Sequence, residues 1–488
     1  MTELAVVLRA LDDAGQLVDV PPDLPAVTGV ADDSRTVRPG ALFCAIAGTV
    51  QDGHRYVPDA HRRGAAVALV TRRLDEALPQ IVVRDGRTAA AVAAREWFGR
   101  PGEAMGIVAV TGTNGKSTTV ALTRHLLGAL GPTGSLGTLG AIDPAGRTLP
   151  EYQTLTTPGA VELQAALAAL RARDARWVVM EASSHALHQR RLETLTLRAA
   201  VFTNLTQDHL DYHGSLEAYR EAKLELLAYL GDGGVAVVND DDPAWRELPA
   251  RSGIRLVRYG STPDALVAAD RVDLDAGGCD VALRVGDHTM DLRLPLVGRF
   301  NVSNALGAAA AAWGLGVSAS VIADRLRHAP QVPGRMERLV DHGFVILRDY
   351  AHTPDALERV LEALRPVTRG RLVVVFGAGG DRDRGKRPAM GRIAATRADV
   401  AIVTSDNPRT EDPDAIIDEI EVGMENVAHV RITDRRAAIF HAVGLLEDGD
   451  CLVLAGKGHE TYQVVGAERV PFDERELVRA ALRERSAA

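Results

Sequence analysis

Residues 105–119 place an apolar run, a glycine-rich stretch and a helical pattern directly after one another. MGIVAV, at 105–110, is a β-branched run with the length of a buried strand. TGTNGKST follows at 111–118, and a helical pattern then continues to Leu130. A glycine-rich turn between a strand and a helix directs backbone N–H groups towards an anion, so this unit predicts a phosphate-binding loop on an α/β sheet.

The residues at the start of the helix support a nucleotide as the ligand of this loop. Lys116 can reach the outer phosphates, and the hydroxyl of Ser117 or Thr118 can bind Mg²⁺. Val110 stands where the strict pattern G-x-x-x-x-G-K-[ST] has its first glycine. The alternative is a glycine-rich turn that only caps the helix, with an incidental lysine; the strand–helix context favours the phosphate site.

Short apolar runs alternate with helical patterns along the whole chain, which is typical of an α/β protein. A chain of 488 residues is long enough for about three domains, and Pro/Gly-containing segments lie near 101 and 333. We therefore predict a small α/β domain at 1–101, a central P-loop-type ATPase α/β domain at 102–333 and a C-terminal doubly wound, Rossmann-like domain at 334–488. Shorter alternating runs at 254–297 predict additional antiparallel strands in the central domain.

Composition excludes several classes of protein. The net charge is −9, from 56 basic and 65 acidic residues, so no basic excess exists to bind nucleic acid. Three widely spaced cysteines encode neither a disulfide scaffold nor a zinc cluster, which favours a reducing cytoplasm. The N-terminus lacks a signal-peptide core, and the longest uncharged stretch, between Arg299 and Asp324, is broken by Asn and Gly. We expect a cytoplasmic monomer that does not insert into a membrane.

A carboxylate ends another apolar run of the central domain. Glu181 closes RWVVME, and a carboxylate at a strand end can reach a phosphate-bound Mg²⁺. The next residues, Ser183, Ser184 and His185, could suggest a hydrolase nucleophile, but the G-x-S-x-G pattern of that class is missing. Mg²⁺ binding is therefore the favoured role for this segment.

A third loop of the central domain is rich in acidic and histidine residues. Asp208, His209, Asp211 and His213 fall within six positions after a predicted strand. Together they suggest metal or phosphate contacts, although a polar loop that caps the next helix is an equal alternative for any one of them. Lys223 lies on that helix, where the residues alone favour an exposed helical lysine.

Taken together, the motifs resemble the Mur ligase family, the ATP-dependent amide-forming enzymes of peptidoglycan assembly, cell-wall biogenesis and cell division. The resemblance spans the chain, and its N-terminal part looks like the UDP-sugar domain of that family. It rests on DDSRTVRPGALFCAIAG with QDGHRY (32–56), GTNGKST (112–118), MEASSHALHQRR (180–191), TNLTQDHLDYHG (203–214), GRFNVSNAL (298–306), PGRMER (333–338), DYAHTPDAL (349–357), GDRDRGKRP (380–388), SDNPRTEDP (405–413) and GKGHE (456–460).

The resemblance implies roles at a nucleotide and metal site. Lys116, Glu181, His209 and Lys223 match the catalytic region of the family, Ser117 and Glu181 its Mg²⁺ ligands, and Lys223 its carbamylated lysine, which would supply a further Mg²⁺ ligand. The positions that match the ATP site are Gly112, Thr113, Asn114, Gly115, Lys116, Ser117, Thr118, Asn301, Arg335 and Asp349.

The resemblance also implies two sites for small-molecule substrates. Positions that match contacts to a UDP-muramoyl-dipeptide are Ser34, Thr156, Thr157, Ser183, Gln189 and Arg191. Positions that match the amino-acid site are Arg382, Asp406, Asn407, Pro408, Arg409, Gly456 and Glu460.

The implied reaction is the ATP-dependent addition of meso-diaminopimelate to the D-glutamate side-chain carboxylate of UDP-MurNAc-L-Ala-D-Glu, through an acyl phosphate. Arg409 offers a planar fork suited to the second carboxylate of diaminopimelate, which lysine lacks; a turn with a solvated Arg409 is the alternative. L-Lysine or L-ornithine as the added amino acid, a folylpolyglutamate synthase-like ligase and a non-catalytic nucleotide-binding regulator remain alternatives at this point.

Overall fold

The computed structural model describes residues 3–48, 51–152, 155–248, 251–425 and 427–487. Within these ranges the chain alternates strands with helices almost throughout. Residues 1–268, 284–288 and 304–322 form one compact unit, and residues 269–283, 289–303 and 323–488 form a second.

The N-terminal part is built on a five-stranded sheet of order β1-β5-β4-β3-β2, in which β1 is antiparallel and the remaining pairs are parallel. Apolar clusters cover both faces of this sheet, as the continuous runs at 41–44 and 67–70 require. The elements are α1 (Leu4–Asp13), β1 (Leu17–Asp19), β2 (Gly29–Ala31), β3 (Ala41–Cys44), α2 (Val57–Arg62), β4 (Val67–Val70), β5 (Gln80–Val83) and α3 (Gly86–Trp97).

The middle of the chain is built on a sheet of order β16-β15-β14-β13-β12-β11-β6-β10-β7-β8-β9. Its elements are β6 (Gly106–Thr111), α4 (Lys116–Leu127), β7 (Thr133–Gly137), β8 (Gly140–Ile142), β9 (Thr148–Leu149), α5 (Ala160–Arg171), β10 (Trp177–Glu181), α6 (Ser184–His188), β11 (Leu197–Phe202), α7 (Leu210–His213), α8 (Leu216–Leu224), β12 (Leu230–Asn239), β13 (Arg255–Gly260), β14 (Val267–Asp275), β15 (Gly278–Val285), β16 (His288–Leu294), α9 (Arg299–Gly314) and α10 (Ala319–Arg327).

Strand β6 lies between β10 and β11, and all three run parallel. Their carboxyl ends therefore meet at one edge, where ligands of open α/β sheets bind. Glu181 pairs in register with Val110, and Phe202 with Thr111, so the loops that follow these strands start side by side. One sequence prediction fails in this sheet: residues 255–260, expected to be antiparallel, pair in parallel with both β12 and β14. Alternation within a short run fixes which side chains share a face, but it does not fix the strand direction.

The C-terminal part is a six-stranded sheet of order β17-β18-β22-β19-β20-β21, antiparallel only at β17. Successive strand residues alternate between two apolar clusters, one on each face, which makes this region doubly wound. The elements are β17 (Glu337–His342), β18 (Phe344–Asp349), α11 (Pro354–Leu364), β19 (Leu372–Phe376), α12 (Lys386–Arg397), β20 (Val400–Val403), α13 (Pro413–Glu421), β21 (Val430–Arg431), α14 (Arg435–Leu445), β22 (Cys451–Ala455), the hairpin strands β23 (Tyr462–Val465) and β24 (Glu468–Pro471), and α15 (Glu474–Ala487).

The three sheets confirm the predicted α/β architecture. The predicted domain boundaries near residues 101 and 333 stay predictions. Among the helices that the structure describes, none is long and apolar enough to cross a membrane.

A buried ion pair joins the last two long helices. Arg435 at the start of α14 and Glu474 at the start of α15 are both fully buried, and their Nη2 and Oε1 atoms lie 2.8 Å apart. We expect Arg435→Met to lower the free energy of unfolding by about 3–5 kcal/mol, because it leaves the Glu474 carboxylate buried without its partner. Chemical denaturation of the full chain measures the change.

The control is Arg479→Ala, which removes an exposed pair with Glu476 on α15. An exposed pair contributes about 0–1 kcal/mol, so this variant should unfold almost as the wild type does. Equal effects of the two substitutions would contradict the role of burial.

Candidate active site

The predicted phosphate loop lies between β6 and α4, at the centre of the parallel sheet. Gly112 has φ 147° and Gly115 has φ 84°, and both values fall in the region that favours glycine. A side chain at 115 would also collide with the side-chain oxygen of Asn304. The loop therefore needs glycine at 115 for two independent reasons.

Lys116 folds back over this loop. Its Nζ donates to the carbonyl oxygens of Gly112, at 2.9 Å, and Thr113, at 2.7 Å. The ammonium thus lies over the loop that leads into α4, and the N-terminal end of that helix favours an anion.

Ser117 and Glu181 bring two oxygen groups together at the strand ends. Ser117 Oγ donates to Glu181 Oε1 at 2.9 Å, and both residues are buried. The same Oε1 accepts the Thr138 backbone N–H at 2.8 Å. A hydroxyl and a carboxylate are donors of the kind that Mg²⁺ prefers, so this pair fits the predicted metal. The described residues hold no group of three or more His, Cys, Asp or Glu side chains able to bind a metal by themselves.

The loop after β11 holds the phosphate loop in place, a role that sequence reasoning missed. Thr203 Oγ1 donates to the Asn114 carbonyl at 2.7 Å. Asn204 accepts the Asn114 N–H with its Oδ1 at 2.9 Å, and its own carbonyl accepts the Thr113 N–H at 2.8 Å. The available signal was the position of TNLT directly after a strand, but it does not reveal which loop is adjacent.

Lys223 is buried, so the expectation of an exposed helical lysine is wrong. It is 1% exposed, and its Nζ donates to the Gly112 carbonyl at 2.9 Å. The same atom lies 4.2 Å from the centre of the Tyr219 ring. Burial, and after it the nearby charge of Lys116, hold the pKa of Lys223 well below its usual value. A neutral amine is the form that reacts with CO₂, so this environment fits the carbamate predicted for Lys223.

The acidic and histidine-rich loop packs against α6. His209 adopts a left-handed backbone conformation, and its ring centre lies 4.7 Å from that of His185. His213 Nε2 is 3.0 Å from Ser184 Oγ. Burial first, and then the neighbouring histidines, lower the pKa of His213 to about 4, so it is neutral at pH 7. Asp208 and Asp211 remain exposed.

Most residues predicted to bind the UDP-linked substrate form one network with Glu181. Thr157 Oγ1 donates to the Glu181 carbonyl at 2.9 Å and accepts the Ser183 N–H at 3.0 Å. Arg191 donates from Nη1 to the Thr157 carbonyl at 2.7 Å and from Nη2 to Gln189 Oε1 at 2.9 Å. The network reaches the Glu181 residue through the backbone of β10.

Of the two remaining members of this set, Thr156 adjoins the network through Thr138, and Ser34 lies in the N-terminal part. Thr156 Oγ1 lies 3.2 Å from Thr138 Oγ1. Ser34 is buried in the N-terminal part, where its hydroxyl hydrogen-bonds Asp59 and lowers the pKa of that carboxyl. Asp32, close to it in sequence, hydrogen-bonds the backbone of Val161, so the Ser34 segment lies near the start of α5.

The second compact unit holds the residues predicted to bind the amino acid. Asn407 Nδ2 donates to Glu460 Oε2 at 2.9 Å. Asp406 Oδ2 is buried and has no hydrogen-bond partner among the described residues, and a side chain at Gly456 would lie 2.5 Å from it. Arg409 Nη1 donates to the Gly380 carbonyl at 2.6 Å, which orients the guanidinium. Buried Pro408 adjoins it in the same loop, whereas Arg382 lies on an exposed loop.

The second unit also contains three predicted nucleotide contacts. Asn301 is 1% exposed, and its Nδ2 donates to the Val297 carbonyl at 2.9 Å. Asp349 ends β18 and accepts the Met336 N–H at 2.7 Å. Burial raises the pKa of Asp349, and the charge of Arg335 opposes the rise. The predicted site residues thus fall into two groups, one in each compact unit.

Comparison with known proteins gives the same family along the chain. Residues 26–96 match the Mur ligase family catalytic domain, 110–312 the Mur ligase middle domain and 334–458 the Mur ligase glutamate ligase domain. A UDP-N-acetylmuramoyl-L-alanyl-D-glutamate–2,6-diaminopimelate ligase of Syntrophomonas wolfei is 43% identical over 467 residues, which cover 94% of this chain and 95% of that protein.

Solved structures agree with the sequence match. The structure of a UDP-N-acetylmuramoyl-L-alanyl-D-glutamate–2,6-diaminopimelate ligase superposes with a TM-score of 0.68 at 34% identity, covering 96% of this chain and 98% of that one. A Mycobacterium tuberculosis folylpolyglutamate synthase complexed with ADP gives 0.60 at 20% identity and covers 75% of this chain and 91% of that one. At that identity the second likeness concerns the fold alone.

A pair of glycine variants separates the effect of the steric collision at position 115 from the effect of backbone strain. We expect Gly115→Ala to weaken ADP binding and lower the thermal midpoint, because it adds left-handed strain of about 1–2 kcal/mol and overpacking of about 1–3 kcal/mol. Gly214→Ala is the matched control, since Gly214 has φ 80° and open space around it. Calorimetric titration with ADP and thermal denaturation of both variants measure the difference. Equal losses would show that the Asn304 contact does not matter.

Proposed function

Because this chain belongs to the Mur ligase family, we propose that it adds meso-diaminopimelate to the D-glutamate side-chain carboxylate of UDP-MurNAc-L-Ala-D-Glu, with ATP and Mg²⁺. The observation that carries this proposal is the 43% identity, over 94% of the chain, to a relative named for that reaction. The sites of the two units supply the chemistry that the reaction needs.

The first half of the reaction moves the γ-phosphoryl group of ATP to the substrate carboxylate and gives an acyl phosphate. The transferring group carries negative charge spread over its oxygens, so catalysis depends on positioned positive groups. Lys116 and the N–H groups at 112–118 surround the place where the phosphates would bind. Ser117 and Glu181 would hold Mg²⁺, which neutralises phosphate charge when bound.

Lys223 would contribute as a carbamate. Burial and the nearby charge of Lys116 hold the pKa of the Lys223 amine well below the usual value, which favours the neutral form that reacts with CO₂. The product is an anionic oxygen group on α8, directly beside the phosphate loop. That group could bind a second Mg²⁺, because it is an oxygen ligand of the type that Mg²⁺ prefers.

The second half of the reaction needs a bound diamino acid whose attacking amine is neutral. In the second unit, the carboxylates of Asp406 and Glu460 can bind an ammonium group of the amino acid. The oriented guanidinium of Arg409 can bind a carboxylate in two-point fashion, which suits diaminopimelate and leaves lysine without an equivalent contact. Attack of the free amine on the acyl phosphate then expels phosphate.

The three substrates each have a set of residues within one chain, so we propose a cytoplasmic monomer as the working form. No contact to nucleic acid or membrane enters this reaction. The substrate-binding roles of Thr157, Ser183, Gln189 and Arg191 rest on their shared network beside Glu181 and on the family motifs. The roles of Ser34 and Thr156 rest on the family motifs.

Phosphate release by the purified chain tests the proposed function. We expect release only when ATP, Mg²⁺, UDP-MurNAc-L-Ala-D-Glu and meso-diaminopimelate are all present. Lysine or ornithine should be used with a kcat/KM lower by at least roughly a hundredfold, because Arg409 would face no carboxylate. Lys116→Ala should abolish release. Equal turnover with lysine would refute the choice of amino acid, and turnover with a folate substrate instead would refute the reaction.

A chemical rescue tests the carbamate. Lys223→Ala should lose most activity, and formate or acetate should restore part of it, because a small carboxylate can occupy the place of the missing anionic group. Lys116→Ala is the control, since a carboxylate cannot replace its ammonium. Initial rates at increasing carboxylate concentration measure the effect; rescue of neither variant, or of both, speaks against the carbamate.

A further inference from the structure

The loop after β22 contains a buried lysine that none of the assigned roles uses. Lys457 is fully buried. Its Nζ donates to Asn407 Oδ1 at 3.0 Å and to Glu460 Oε2 at 3.2 Å. It therefore bridges two side chains of the proposed amino-acid site that are 53 residues apart in sequence.

Lys457 fixes which way the Asn407 amide points. The Oδ1 atom accepts from Lys457 and from the Val464 backbone N–H, at 2.8 Å. A flipped amide would place its NH₂ group against two donors, which is unfavourable for buried groups. The amide must then direct Nδ2 towards Glu460, where it donates at 2.9 Å.

In the same arrangement, the two oxygens of the Glu460 carboxylate have different roles. Oε2 accepts from both Lys457 and Asn407. Among the residues that the structure describes, Oε1 has no hydrogen-bond partner, and the side chain is 16% exposed. One oxygen is thus held by the protein while the other is open to a ligand.

The contacts of Lys457 with Asn407 and Glu460 are important because the lysine is buried. A fully buried ammonium needs its acceptors, because unpaired buried charge is costly. Lys457 consequently keeps Asn407 and Glu460 in one geometry before any ligand arrives. A preorganised carboxylate oxygen binds an ammonium group with little loss of side-chain freedom.

We propose that Lys457 is a positioning residue for recognition of the amino-acid substrate: it holds Glu460 Oε2 and the Asn407 amide so that Glu460 Oε1 accepts an ammonium group of the incoming amino acid. The proposal rests on the proposed function, because it concerns the same amino-acid site. Lys457 does not touch the substrate itself.

The test is Lys457→Met, which keeps the apolar stem and removes the ammonium. We expect the KM for meso-diaminopimelate to rise at least tenfold. The KM values for ATP and UDP-MurNAc-L-Ala-D-Glu should stay within twofold of wild type. Lys457→Gln, which retains a donor, should give a smaller rise. Combining Lys457→Met with Glu460→Gln should cost no more than the larger single effect, because the lysine acts through the carboxylate.

The control removes a cation–carboxylate pair of the same unit in which both side chains are fully buried. Arg435→Met with Glu474→Leu replaces that pair by apolar groups and leaves Asn407 and Glu460 untouched. Its KM for meso-diaminopimelate should equal that of the wild type, whatever its thermal midpoint.

Several results would overturn the proposal. A folded Lys457→Met enzyme with unchanged KM for the amino acid, an equal rise in all three KM values, or failure of both Lys457 variants to fold would each show a structural role only. Wild-type turnover is measured in the same assay, so a wild-type chain without ligase activity refutes the proposed function rather than the role of Lys457.

Discussion

Two lysines donate to one acceptor, the carbonyl oxygen of Gly112, and the phosphate loop depends on this arrangement. Lys116 comes from the start of α4 and Lys223 from α8, and each donates to it at 2.9 Å. Because Lys223 is also buried, the neighbouring charge and the loss of solvent act in the same direction on its pKa. The Gly112 carbonyl oxygen, directly after β6, thereby connects the loop to side chains of two helices, α4 and α8.

The polar groups around that point are held by further hydrogen bonds rather than by packing alone. Thr203 and Asn204 fix the far side of the loop, while Thr138 and Ser117 fix the Glu181 carboxylate. The C-terminal unit repeats the principle with Lys457, whose buried ammonium sets two side chains of the proposed amino-acid site. In both units, a buried lysine at the carboxyl ends of parallel strands organises groups that would bind anions or ammonium.

Much of the fold followed from local pattern. The runs at 105–110, 344–347 and 451–455 are continuously apolar and have the length of strands buried on both faces, and β6, β18 and β22 lie there. The direction of residues 255–260 could not be predicted, because strand direction depends on which neighbour the strand meets and not on its own alternation. The contact between the loops after β6 and β11 could not be predicted either, because it depends on the order of the strands in the sheet.

The sequence by itself determined the phosphate loop, the α/β class and the family, because glycine spacing, strand-length apolar runs and ordered motifs are local properties of the chain. Only the tertiary structure decided the burial and the lowered pKa of Lys223. The sequence alone predicts an exposed helical residue, because it does not show that α8 packs against the loop. The physical reason is that burial and neighbouring charge, which set the protonation of an amine, are properties of the surroundings in space and not of the adjacent sequence.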